Sequence, residues 1–102
     1  MAKIVRTEES RWWLSEIRAH IAKDSVAAAD RTVEGIYEKA QLLKNFPELG
    51  FQYPLPGRVD VRVLLYGHYR IAYVLTQPDE ICVLGIFHSA LDIDRFFPDE
   101  QG

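Results

Sequence analysis

The stretch Val61-Arg62-Val63-Leu64-Leu65-Tyr66-Gly67-His68-Tyr69-Arg70-Ile71-Ala72-Tyr73-Val74-Leu75 decides the fold class. Runs of β-branched and aromatic residues flank Gly67-His68, and a short glycine-bearing link suits a tight hairpin. A third such run, Ile81 to Phe87, follows Thr76-Gln77-Pro78-Asp79-Glu80, where Pro78-Asp79 suits a longer turn. The three runs predict an antiparallel meander. Its register stays open: a two-residue loop puts Arg62 and Arg70 on opposite faces, a three-residue loop puts them together.

Upstream the period changes. Lys3 to Arg6 reads as a short strand expected to join the sheet edge. Thr7 can cap a helix, with Glu8 and Glu9 complementing the positive end of its dipole. Trp13, Leu14, Ile17 and Ile21 then recur at helical spacing. Asp24-Ser25 supplies a second cap, and Val26, Ala29, Val33, Ile36, Tyr37, Ala40 and Leu43 form a second apolar stripe. Phe46-Pro47-Glu48-Leu49-Gly50 ends that helix, since proline cannot continue it. Two amphipathic helices so closely joined form an αα-hairpin. Tyr53 to Gly57 reads as a stiff loop, and Asp92 to Phe97 as a closing turn of helix. The expected order is β-α-α-β-β-β, an α+β fold whose antiparallel sheet packs against the α-helical hairpin on one face.

Composition bounds the function. With 102 residues, 48% of them hydrophobic and 26% charged, one domain spanning residues 1–102 with one core is expected, and disorder is disfavoured. A lone cysteine, Cys82, excludes an internal disulfide framework and a cysteine-based zinc ribbon. No apolar run is long enough to span a membrane, and Met1 to Arg6 turns charged too soon for a signal peptide, so a cytoplasmic home is expected. His20, His68, His88 and Cys82 lack metal-ligand spacing, and no phosphate-cradling glycine motif occurs, so neither metal nor cofactor is expected. The net charge of −3 argues against holding nucleic acid by bulk charge.

That charge is uneven. Every lysine lies in the first half, where acids and bases cancel. Residues 51–78 carry Arg58, Arg62 and Arg70 against Asp60 alone, whereas residues 79–102 carry Arg95 against Asp79, Glu80, Asp92, Asp94, Asp99 and Glu100. Arginine's planar fork can grip phosphate or carboxylate. Arg70, inside a strand expected at the middle of the sheet, must find water, a partner or a ligand. A structural role would pair it with Asp92 or Asp94, or stack it on Tyr66 or Tyr73. A functional role would give it a phosphate. His88 ends the last strand, where an imidazole can serve as base or anion contact, or bond to its own turn. Trp12-Trp13 reads as one exposed and one core tryptophan. Gly85 inside a strand suggests a bulge or a close backbone approach.

A capped helix pair ending in Phe46-Pro47-Glu48-Leu49-Gly50, then Arg62-Val63-Leu64-Leu65, Tyr69-Arg70-Ile71-Ala72-Tyr73 and Ile86-Phe87-His88, resembles the RelE/ParE superfamily of toxins. The resemblance is to its ParE-like branch, the plasmid stabilisation proteins, and covers roughly Ile4 to Phe97. It implies the toxin of a type II toxin–antitoxin module, neutralised by a cognate antitoxin laid over the toxin's helices and sheet. It implies two routes of growth inhibition. ParE-like members inhibit DNA gyrase, whereas RelE-like members are endoribonucleases that cleave mRNA on the ribosome. Under the ribonuclease reading Arg70 would contact phosphate and His88 would be the catalytic acid or base. Arg58, Arg62 and Arg70 are the candidate phosphate or target contacts. Leu91 stands where many relatives carry a basic residue, which weakens the active-site reading. With the acidic end, it leaves a non-toxic, antitoxin-binding relative as a further alternative. The net charge of −3 disfavours the ribosome and tips the expectation towards a protein target. A homodimer or a toxin–antitoxin heterotetramer would suit an exposed sheet edge.

Overall fold

The computed structural model describes residues 3–5, 7–53, 57, 60–77 and 79–88. They form β1 (Lys3–Val5), α1 (Glu8–Ala22), α2 (Val26–Gln41), a 3-10 turn (Leu42–Lys44), β2 (Phe51–Gln52), β3 (Arg62–Tyr66), β4 (Tyr69–Gln77) and β5 (Glu80–His88). The closing turn expected at Asp92 to Phe97 lies outside the described residues.

Capping chemistry starts both helices. The Thr7 hydroxyl accepts the Ser10 N–H at 3.0 Å, and the Ser10 hydroxyl accepts the Thr7 N–H at 3.2 Å, a reciprocal capping box. The Ser25 hydroxyl accepts the Ala28 N–H at 3.1 Å. Such caps are worth about 1 kcal/mol each. Between the helices Arg18 meets Asp30 at 2.9 Å, but both side chains are about half exposed. A surface pair of that kind adds roughly 0–1 kcal/mol, so the apolar faces carry the hairpin. Among the described residues no helix is long and apolar enough to cross a membrane.

The sheet order is β1-β5-β4-β3-β2. β3, β4 and β5 form the expected meander. Two features refine the expected sheet. β1 joins the edge of β5 in parallel, with Lys3–Val5 opposite Glu80–Cys82, so the sheet is mixed. β2 adds a fifth strand, Phe51 facing Val63 and Gln52 facing Arg62. A two-residue strand carries no readable period, which is why the sequence hides it. Tyr66 pairs with Tyr69 across Gly67-His68, so the loop has two residues. Gly67 sits at φ +55°, a region open to glycine at no steric cost.

The core lies on both faces of the sheet. Ile17 and Ile36 from the helices meet Leu64, Ile71, Val83 and Ile86 on one face. Val61, Val63, Ala72, Val74 and Phe87 form a second buried cluster on the other. Burial on both faces explains why these strands read as nearly continuous apolar runs. Trp13 packs against both clusters, its ring edge-on to Phe87 at 4.6 Å, while Trp12 is 55% exposed. Gly85 permits this passage. A Cβ there would lie 2.5 Å from the Phe87 ring and 3.2 Å from the Trp13 indole nitrogen, and the β4–β5 register shifts beside it.

Candidate functional site

Arg62 and Tyr73 face each other across β3 and β4 on the helix-covered side. Together they hold the segment that ends the helical half. The Tyr73 hydroxyl donates to the Pro47 carbonyl at 2.8 Å and accepts the Gly50 N–H at 2.9 Å. The Arg62 guanidinium donates to the carbonyls of Gly50 at 2.7 Å and Glu48 at 3.2 Å, with the Glu48 carboxylate 3.6 Å away. Tyr73 is fully buried. Burial raises its phenol above the ordinary 10.0, against the opposing pulls of the Gly50 N–H and the Arg62 charge. The phenol is therefore a protonated donor at neutral pH. Arg62, a candidate phosphate or target contact from sequence, has its fork engaged by backbone carbonyls, its side chain only 19% exposed.

Arg70 occupies the opposite face. It sits half-buried between Leu65 on β3 and Phe87 on β5. The two-residue loop separates it from Arg62, and equally from Tyr66 and Tyr73, so the stacking considered from sequence does not form. The alternative partners Asp92 and Asp94, and the third arginine, Arg58, lie outside the described residues.

His88 is exposed and pairs with Tyr69, whereas Arg70 pairs with Phe87. Adjacent strand positions alternate in face, so Arg70 and His88 belong to different sides of the sheet. His88 meets the Tyr69 ring edge-on at 5.5 Å and stacks on His68 at 5.9 Å. His20 of α1 lines the same pocket as His88. The protein's three histidines thus gather at one end of the molecule, a grouping that their spacing along the chain conceals. Among the described residues no cluster of three His, Cys, Asp or Glu side chains could hold a metal.

The sequence matches the family described as "ParE toxin of type II toxin-antitoxin system, parDE" over residues 7–93. The chain belongs to the ParE toxin family. Among solved structures it is similar to the chromosomal ParDE toxin–antitoxin system from P. aeruginosa, with a TM-score of 0.71 and 21% identity. That match covers 86% of this chain and 96% of the other. At such identity the likeness speaks for the fold. No curated protein matches the sequence.

One further feature of this ParE-family chain escaped sequence reasoning. A groove of about 320 Å³ opens between α1, α2 and β1. Leu14, Ile36, Ile71 and Val83 line it with apolar surface, and Arg11 and Lys44 add two cations. The signal was present only as two basic residues flanking the helical stripes, indistinguishable from an ordinary solvated face.

Proposed function

We propose that this protein is a ParE-type toxin that arrests growth by binding a protein target, DNA gyrase being the target its family resemblance favours, and that a cognate antitoxin neutralises it. The observation that carries the choice of route is the separation of the candidate catalytic groups. Cleaving RNA through its 2′-hydroxyl requires a base, an acid and a cation converging on one phosphate. Arg62 is engaged by Glu48 and Gly50, while Arg70 and His88 belong to opposite faces. A protein target makes no such demand on geometry. On this reading Arg70, flanked by the exposed Leu65 and the buried Phe87, is the arginine through which the target is gripped. The groove between the helices supports the antitoxin half of the proposal. Its apolar lining and two cations suit an amphipathic segment with carboxylates beside its apolar anchors.

The test is induced expression without antitoxin, in the cytoplasm of a bacterial host. Growth arrest with DNA damage, and inhibition of supercoiling by purified gyrase, are expected. Arg70→Ala should weaken both, and His88→Ala should leave both intact. Unchanged growth rejects toxicity, and cleavage of translated mRNA that depends on Arg70 and His88 rejects the protein-target route.

A further inference from the structure

A pocket of about 380 Å³ opens where α1 crosses the ends of β4 and β5, sharing Ile86 with the groove between the helices but lined by different polar groups. Its lining combines aromatic surface from Trp13 and Tyr69, an apolar floor from Ile17 and Ile86, and the polar side chains Glu16, His20 and His88. Glu16 and His20 lie four residues apart on one exposed face of α1, so both heads reach the rim. The charge at this site differs from that of the groove. Among the described residues that line it, Glu16 carries the one carboxylate and there is neither arginine nor lysine.

We propose that this pocket binds a basic side chain, an arginine of a protein partner. The chemistry follows from the lining. Indole and phenol rings attract a guanidinium through their quadrupoles, and most strongly where water is partly excluded. Glu16 supplies the counter-charge, and the His20 imidazole at the rim adds a nitrogen of hydrogen-bonding character beside it. Burial holds the Tyr69 phenol above its ordinary 10.0, so this wall stays neutral through the physiological range. A phosphate or carboxylate would instead meet a carboxylate and apolar walls. Among the described residues the charged and titratable groups that face the site are Glu16 and His20 from α1, Tyr69 from β4 and His88 from β5, with His68 stacked behind His88. The inference does not depend on whether the chain is toxic or on which target it poisons.

The experiment is an NMR titration of the whole protein with N-acetyl-arginine methylamide, carried to roughly tens of millimolar because a lone cation–π contact is weak. Its neutral isostere, N-acetyl-citrulline methylamide, serves as the comparison. Saturable shifts of the Trp13 indole N–H and the His20 and His88 ring signals are expected at pH 8. They should be at least several-fold weaker with citrulline and with Glu16→Gln. Glu16 is exposed, so that variant keeps the fold, and its unchanged amide spectrum checks this. Equal shifts from arginine and citrulline, or insensitivity to Glu16→Gln, overturn the proposal. So does preferential binding of adenosine monophosphate or N-acetyl-glutamate at the same signals.

Discussion

Replacing Tyr73 by phenylalanine removes one oxygen from a fully buried ring and leaves the ring itself in place. Packing is conserved, so the change isolates the two hydrogen bonds that tie the sheet to the segment after α2. Without the hydroxyl, the buried Gly50 N–H loses its 2.9 Å partner and the Pro47 carbonyl loses its 2.8 Å partner. An unpaired buried backbone group costs about 1–3 kcal/mol, but the Pro47 carbonyl is only partly buried and can recover some solvation. The expected loss is about 2–3 kcal/mol. For a chain of this size 1 kcal/mol moves Tm by ~4–8 °C, so the variant should melt roughly 10–20 °C lower. Thermal melts by circular dichroism read the shift. Urea unfolding should show a lower midpoint with the same slope, since the surface exposed on unfolding is unchanged. Arg62 grips the same segment, so Arg62→Met in the Tyr73→Phe background should cost measurably less than in the parent, with a coupling of about 0.5 kcal/mol or more. A Tm change under about 3 °C, or strict additivity with Arg62→Met, would refute the idea that these two side chains form one latch.

The remaining predictions use the same molecule differently. Tyr69 and Tyr73 both titrate above 10.0 in the folded protein, so the unfolded chain loses these protons first. Their stabilisation is complete below pH 10 and lost as pH rises through the folded values. Melts between pH 8 and pH 11 should show that fall, and Tyr73→Phe should flatten it. Arg62→Met should cost about 1–2 kcal/mol in urea, whereas Glu48→Ala should cost under ~0.5 kcal/mol, because the Glu48 side chain is 76% exposed and its carbonyl remains. Gly35→Ala, ordinarily worth up to about 1 kcal/mol within a helix, should instead destabilise by ~1–3 kcal/mol. Its Cβ would lie 1.8 Å from the Tyr66 hydroxyl oxygen, and a lack of any Tm decrease would contradict that contact.

Which parts of this were legible in the sequence follows from the range over which each signal acts. The helices were legible because Thr7 and Ser25 cap locally and the stripes from Trp13 to Ile21 and Val26 to Leu43 repeat at short range. The meander was legible from composition alone. Its register was not, because nothing in Gly67-His68 fixes the loop length until Tyr66 is seen opposite Tyr69. That single fact sends Arg62 and Arg70 to different faces. β2 was invisible since Phe51 and Gln52 are too few to show a period, and the parallel direction of β1 depends on where α1 and α2 return the chain. Gly85 signalled a close approach without naming Trp13 as what approaches. The gathering of His20, His68 and His88 had no local signature, because three separate elements supply it.

The latch also explains what the family resemblance measures. Of the stretches that carry it, Phe46-Pro47-Glu48-Leu49-Gly50 supplies the backbone groups, Arg62-Val63-Leu64-Leu65 supplies the guanidinium, and Tyr69-Arg70-Ile71-Ala72-Tyr73 supplies the phenol. Three motifs separated in sequence meet in one hydrogen-bonded contact that fastens the helical half to the sheet. A match through these residues therefore reports the architecture, and it would persist in a relative that had changed its target or lost its toxicity. The chemistry must be sought in groups the latch does not use: Arg70 on the far face, the Arg11–Lys44 groove, and the Glu16–His20 pocket. Arg70 lies on the other face of the sheet from the groove and the pocket. These two share Ile86 but none of their polar lining, so substitutions of one set of polar groups are expected to leave the others intact. A growth assay on Arg70→Ala and a binding assay on Glu16→Gln therefore test different proposals, and neither result can stand in for the other.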